Sequence, residues 1–159
     1  MSNHSRMEFT DFTGIAPGVA AALRALTKAV DDAGLEKPLT ELLKLRASQI
    51  NGCAFCLQFH LNLARAAGVD ARKLDLLAAW RDAGIYTERE QAALAWTEAL
   101  TLLGHDSASD AVYAAVSTQF PPAELAHLTA AIANINAWNR IAVSLRFSPP
   151  APAQPRAAA

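Results

Sequence analysis

The segment ELLKLRASQINGCAFCLQFH, residues 41–60, carries both cysteines of the chain two residues apart, with a histidine four residues beyond the second. Its first half reads as a helix that starts near Pro38, where Leu39, Leu42, Leu43 and Leu45 supply an apolar side. Gly52 breaks that helix and lets a second begin at Cys53, running through CAFCLQFHLNLARAAG to Gly68. Two helices joined by a glycine turn are the unit from which the rest is read.

The turn also sets the chemistry. Cys53 falls in the first turn of its helix, where unpaired backbone amides and the helix dipole favour a thiolate. Cys56 lies three residues on, on the same side, so the two sulfurs can join in a small-loop disulfide where the local geometry permits. His60 is one turn beyond Cys56 and about 40° around the helix. Helical side chains lean toward the N-terminus, which aims the imidazole back at Cys56. A neutral histidine there accepts the thiol proton. A third group is wanted to orient the ring, and on sequence grounds Glu41 and Glu36 compete for that position. Two bland or rival readings stand beside this one. The cysteines could pack as small hydrophobes, or Cys53, Cys56 and His60 could bind zinc, although structural zinc needs a fourth ligand and no second CxxC or HxxxH exists.

Outward from this segment the punctuation stays helical. Pro17 opens PGVAAALRALTKAVDDAG and Gly34 closes it. Asp70 can cap a shorter helix through Leu77 to Trp80, and TERE at 87–90 is a capping-box pattern for a helix ending near Gly104. Ser107 or Ser109 begins the next, and Pro121 and Pro122 introduce a long final one. No alternation of β-branched residues marks a strand. The expectation is an all-α, single-domain bundle of about seven helices over residues 1–148, with a flexible Pro/Ala-rich tail at 149–159.

Composition narrows the partners. Hydrophobic residues make up 52% and charged ones 18%, more apolar than a soluble monomer needs, which points to burial against other subunits. No apolar run reaches the roughly 18 residues of a membrane span, and the start has no signal-peptide core. A net charge of −1 with scattered basic residues gives no reason to expect nucleic acid. Two close cysteines without a secretion signal fit a reducing compartment, with the cytoplasm as default.

The 41–60 segment resembles the alkylhydroperoxidase D (AhpD)-like branch of the carboxymuconolactone decarboxylase superfamily. That pattern is a glutamate, then a CxxC whose first cysteine lies twelve residues on, then a histidine after three more. Glu41, Cys53, Cys56 and His60 fall on those positions without a gap. The resemblance continues through NLARAAGVDARKLDLL, the TERE helix and NAWNR. It implies an all-helical homo-oligomer, a trimer or a hexamer of dimers, with no metal or flavin cofactor. It further implies a thiol-dependent hydroperoxide reductase: Cys56 is oxidised by the peroxide, Cys53 closes the disulfide, and His60 with Glu41 forms a proton relay. The reductant it implies is a dithiol, carried by a lipoylated or thioredoxin-like protein. The helix-end effect favours Cys53 as the more acidic thiol, whereas histidine spacing and the family pattern favour Cys56, and the assignment goes to Cys56. Alternatives are a redox-sensing or zinc-binding oligomer without turnover, and the superfamily's lactone decarboxylation, which is not built around a CxxC.

Other residues carry plainer expectations. Phe55 and Phe59 read as core or pocket wall, Trp80 and Trp96 as core or interface anchors, and His4, His105 and His127 as surface or capping groups. Asn136, Asn139 and Arg140 share a face of the final helix, either turned to solvent or clustered at a subunit contact.

Overall fold

Proline and glycine set several helix boundaries, and Asp70, Thr87 and Ser109 set others. The computed structural model describes residues 5–153. Among these are nine α-helices, one 3₁₀ turn and no strand: α1 (Phe9–Ile15), α2 (Pro17–Asp32), α3 (Lys37–Ile50), α4 (Ala54–Ala66), α5 (Ala71–Leu76), the 3₁₀ turn (Leu77–Ala79), α6 (Trp80–Ala83), α7 (Glu88–Thr101), α8 (Asp110–Ser117) and α9 (Pro122–Leu145). The all-α expectation holds, and the helix count rises from seven to nine.

The two additions have different causes. The Asp11 carboxylate accepts the Glu8 N–H at 3.3 Å and starts α1. Seven residues are too few to be helical alone. Phe9 and Phe12 hold α1 by packing on Phe55, Trp138 and Phe147, with ring centroids 5.1 to 6.3 Å apart. The segment after Asp70, read from sequence as one helix, tightens into the 3₁₀ turn before α6, which ends at left-handed Gly84. Ser109, rather than Ser107, caps α8, while the Ser107 hydroxyl accepts the Gly104 N–H at 2.7 Å.

α3 is the central element, packed against α4, α7 and α9, with α2 lying on α9. Residues Leu39 to Leu45 are all buried, so the one-sided apolar face expected from sequence is instead a helix enclosed around its whole circumference. Leu39 and Leu43 meet Trp96, Phe120, Leu128 and Ile132, whereas Leu42 and Leu45 meet Leu77, Trp80, Tyr86 and Leu94. Burying one leucine side chain fully contributes about 1.5–3 kcal/mol, so this paired core dominates the fold's stability. Trp80 and Trp96 are core anchors, their indole N–H groups donating to Glu98 and Thr129. A third cluster holds Ala47, Cys53, Cys56, Ile135, Ala142 and Phe147, and so builds the cysteines into the core.

Enclosing α3 requires its polar groups to be paired. Asn139 is fully buried; its amide donates to Ser48 Oγ at 3.0 Å and its oxygen accepts from Asn51 at 2.8 Å. Asn136 accepts from Asn51 at 2.9 Å and donates to Thr101 at 3.0 Å, and Arg140 donates back to Asn136. The α9 asparagines therefore face inward onto α3 and α7, which corrects the solvent-face reading. Exposed Arg140 closes the network within the same chain.

Among the described residues no helix is long and apolar enough to cross a membrane. Residues 149–153 lie along α4, where the Asn62 amide donates to Ala151 O and accepts from Ala153 N–H, both at 2.9 Å. Residues 154–159 of the expected flexible tail lie outside the described residues, as does His4. His105 is exposed, and His127 bonds the Ala123 carbonyl within its own helix.

Candidate active site

The α3–α4 turn places the cysteines. Gly52 takes φ +66°, a left-handed conformation that costs a residue with a Cβ about 1–2 kcal/mol. With it in place, Cys53 N–H donates to Ser48 O at 3.0 Å and Gly52 N–H to Gln49 O at 3.3 Å, the doubly bonded glycine cap of a helix end. The chain then reverses into α4, with Cys53 as the N-cap itself rather than a first-turn residue. Its sulfur accepts the Cys56 N–H at 3.3 Å. The two cysteines are joined as a disulfide with Cα atoms 5.3 Å apart, well within the usual span.

Both cysteines are buried, but of the two only Cys56 lines the cavity that opens between α2, α3, α4 and α9. This cavity has a volume of about 330 Å³. Phe9, Phe55, Phe59, Ile135 and Trp138 form its apolar walls, and His60 and Lys44 share the wall with Cys56. The pocket-wall reading of Phe55 and Phe59 is therefore met. Phe9 on α1 and Trp138 on α9 reach the same wall, a juxtaposition no spacing in the 41–60 segment discloses. Asn134 also lines the cavity, and its buried amide oxygen has no partner among the described residues.

Behind the wall stands Glu41, completely buried. Its Oε2 lies 2.7 Å from His60 Nδ1, and its Oε1 accepts from Lys44 Nζ at 2.9 Å and forms an ion pair with Lys37 Nζ at 3.2 Å. Lys37 is paired in turn with Asp31. Glu36, the competing glutamate, caps α3 on the outside and binds Arg89 at 2.9 and 3.1 Å. Lys44 was not singled out by the sequence reading. Its signal was present, as a second charge three residues from Glu41 inside the same leucine run.

Electrostatics decides the protonation of this group. Burial pushes the Glu41 carboxyl up, but the hydrogen bond and charge of His60 and the Lys44 ammonium overcome it and hold the pKa at about 2. Burial pushes the His60 imidazole below its ordinary 6.5, against the raising effect of Glu41, so at neutral pH the ring is uncharged. An ionised carboxylate can only accept, so the Nδ1 position carries the hydrogen and Nε2 keeps a lone pair. The arrangement is a neutral base, oriented by a buried carboxylate, one helical turn from a cysteine sulfur. Among the described residues no cluster of three or more His, Cys, Asp or Glu is arranged to hold a metal ion.

Residues 17–99 match the carboxymuconolactone decarboxylase family. The chain belongs to that family. It is 32% identical over 131 residues to the uncharacterized protein YdfG of Bacillus subtilis (strain 168), covering 82% of this chain and 89% of YdfG. It also superposes on a crystal structure of a protein of unknown function from Agrobacterium tumefaciens, assigned provisionally as the antioxidant defence protein AhpD. That match has a TM-score of 0.86 and 36% identity, over 93% of this chain and 99% of the other. The AhpD-like expectation from the sequence is thus supported. The fold is shared more distantly with the debrominase Bmp8, at TM-score 0.77 and 21% identity over 87% of this chain and 75% of that one. A cysteine-to-alanine variant of Bmp8, solved with 2,3,4-tribromopyrrole, gives the same fold match. An AhpD-like architecture therefore accommodates more than one reaction, and the activity of this family member has to be argued from its own site.

Proposed function

We propose that this AhpD-like protein is a thiol-dependent hydroperoxide reductase. Cys56 is the peroxidatic thiol, Cys53 the resolving thiol, His60 the base and Glu41 its orienting carboxylate. In the reduced protein, His60 Nε2 takes the Cys56 proton. The thiolate attacks the distal oxygen of the hydroperoxide, an S–O bond forms and the O–O bond breaks. The departing alkoxide takes the proton held by His60 and leaves as an alcohol. Cys53 then attacks the sulfenic acid, and water leaves as the disulfide closes. An external dithiol restores both thiols by exchange, supplied by a lipoylated or thioredoxin-like protein.

The observation that carries this reading is the shared wall: Cys56 and His60 line one apolar cavity, and the histidine is fixed from behind by Glu41 at 2.7 Å. The disulfide between Cys53 and Cys56 supports the resolving step. The family name alone does not select decarboxylation, because the groups gathered here are a redox pair and a base. Cycling of that pair fits a reducing compartment, and we place the protein in the cytoplasm. A homo-oligomer is part of the proposal, supported by exposed Ile15 and Val19 beside the α1–α2 junction and by Leu102 and Leu103 after α7.

The deciding experiment is steady-state reduction of cumene hydroperoxide with a lipoylated-protein or thioredoxin donor system. Turnover is expected in the wild type and absent in Cys56→Ser, with strong loss in His60→Ala. A wild-type protein whose thiols are inert to peroxide sinks the reading.

A further inference from the structure

Glu41 holds three cavity-lining groups at once, His60, Lys44 and Lys37, of which Lys37 is the most exposed. Its Oε2 takes the Nδ1–H of His60, and its Oε1 takes one N–H of Lys44 at 2.9 Å. Glu41 itself does not line the cavity, whereas His60, Lys44 and Cys56 do. Lys44 is 6% exposed, an unusual degree of burial for an ammonium, and Glu41 is its only side-chain partner among the described residues. An ammonium has three donors, so two remain for whatever enters beside Cys56. Lys37 also reaches Oε1 at 3.2 Å, but it is shared with Asp31 and is far more exposed than Lys44. Lys44 is therefore the enclosed cation of the two, and it stands on the wall where chemistry is proposed.

We infer that Lys44 is a further catalytic residue, an electrophile that hydrogen-bonds the departing oxygen of the substrate. The inference rests on the hydroperoxide reading above. When the Cys56 thiolate attacks, sulfur gives up two electrons as the S–O bond forms, and the O–O bond breaks with its electron pair moving onto the departing oxygen. That oxygen develops negative charge before it acquires a proton. The Lys44 ammonium faces that charge in an apolar cavity, where a fixed donor acts more strongly than in water. The proton that completes the alcohol is the one His60 removed from Cys56, so Lys44 ends the step in its starting form. Glu41 then has two tasks: it orients a base on one oxygen and an acid-like donor on the other.

The test varies how much the departing group needs a donor. tert-Butyl hydroperoxide releases a strongly basic alkoxide; peracetic acid releases acetate, which is stable without one. Stopped-flow oxidation of the reduced full-length protein is measured with both oxidants in the wild type, Lys44→Met, Lys44→Gln and Lys44→Arg. Lys44→Met is expected to lose about 100-fold with tert-butyl hydroperoxide, in line with removal of one fixed donor from a developing oxyanion, and less than about 3-fold with peracetic acid. Lys44→Arg retains most of the rate with both. Lys44→Gln, a neutral donor of similar reach, falls between and serves if the methionine variant does not fold. Equal losses with the two oxidants mean that Lys44 only positions Glu41 and overturn the inference, as does an unchanged rate in Lys44→Met. A wild-type protein inert to both oxidants fails earlier, at the hydroperoxide reading itself.

Discussion

Glu41 Oε2 lies 2.7 Å from Nδ1 of His60, nineteen residues away in the chain, and this bond ties α3 to α4 at the cavity that Cys56 also lines. A carboxylate so placed fixes the imidazole tautomer and stabilises the charged ring that forms when the thiol proton moves. Glu41→Gln keeps the shape and removes the charge. Rapid-mixing measurements should show thiol oxidation slowed by about 10- to 100-fold at pH 7. Urea unfolding of the same variant should show a loss of about 3 kcal/mol, because the buried Lys44 ammonium loses its counter-charge.

Acid should destabilise the fold in two stages. His60 has a folded pKa below its ordinary 6.5, so the unfolded chain binds the proton first and stability falls as the pH drops below about 6.5. Glu41 is held at about 2 against an ordinary 4.5; its contribution is complete above 4.5 and is lost as the pH falls toward 2. Thermal melts should therefore hold level from pH 8 to about 6.5 and decline below it in two steps. His60→Asn should flatten the first stage and shrink the second, because the hydrogen bond and charge of His60 are the main influences holding the Glu41 carboxyl low.

The two cysteines should separate cleanly. With a dimedone-type probe after peroxide treatment, Cys53→Ser should accumulate labelled sulfenic acid and Cys56→Ser should show none, since only Cys56 lines the cavity. Labelling that depends on Cys53 instead would reverse the assignment and favour the helix-end effect at the N-cap.

Asn139 links α9 to Ser48 and Asn51 from a fully buried position. Asn139→Leu strands polar groups at the end of α3 and should cost about 1–3 kcal/mol in urea unfolding. The same change should leave the oligomeric state seen by size exclusion unaltered, because the network closes within one chain.

Gly52→Ala should lower the melting temperature by an amount equivalent to about 1–2 kcal/mol, although no atom stands within 4 Å of the added Cβ. The cost is one of backbone conformation. Disulfide re-formation after dithiothreitol removal should slow with it, because this turn sets the position of Cys53.

Much of the local design was legible before any coordinates. Asp70, Thr87 and Ser109 cap helices as their residue types foretell, with Thr87 and Glu90 forming the expected box. These features are short-range, and hydrogen-bond chemistry within four residues decides them. α1 was hidden, since seven residues carry too little periodicity and its support comes from Trp138 and Phe147 at the other end of the chain. The direction of the α9 asparagine face stays open in the sequence for a related reason. A polar stripe looks the same in sequence whether it meets water or a partner helix.

The cysteine–histidine register needed only the sequence, because an α-helix repeats every 3.6 residues and that period brings residues four apart together. Spacing left Glu41 and Glu36 open and only the family pattern preferred Glu41; tertiary structure set Glu41 against His60, enclosed Lys44, and brought Phe9 and Trp138 to the wall beside Cys56. Those outcomes depend on the angles at which α1, α3 and α9 meet. Such angles come from side-chain packing between segments far apart in the chain, and no local pattern encodes them.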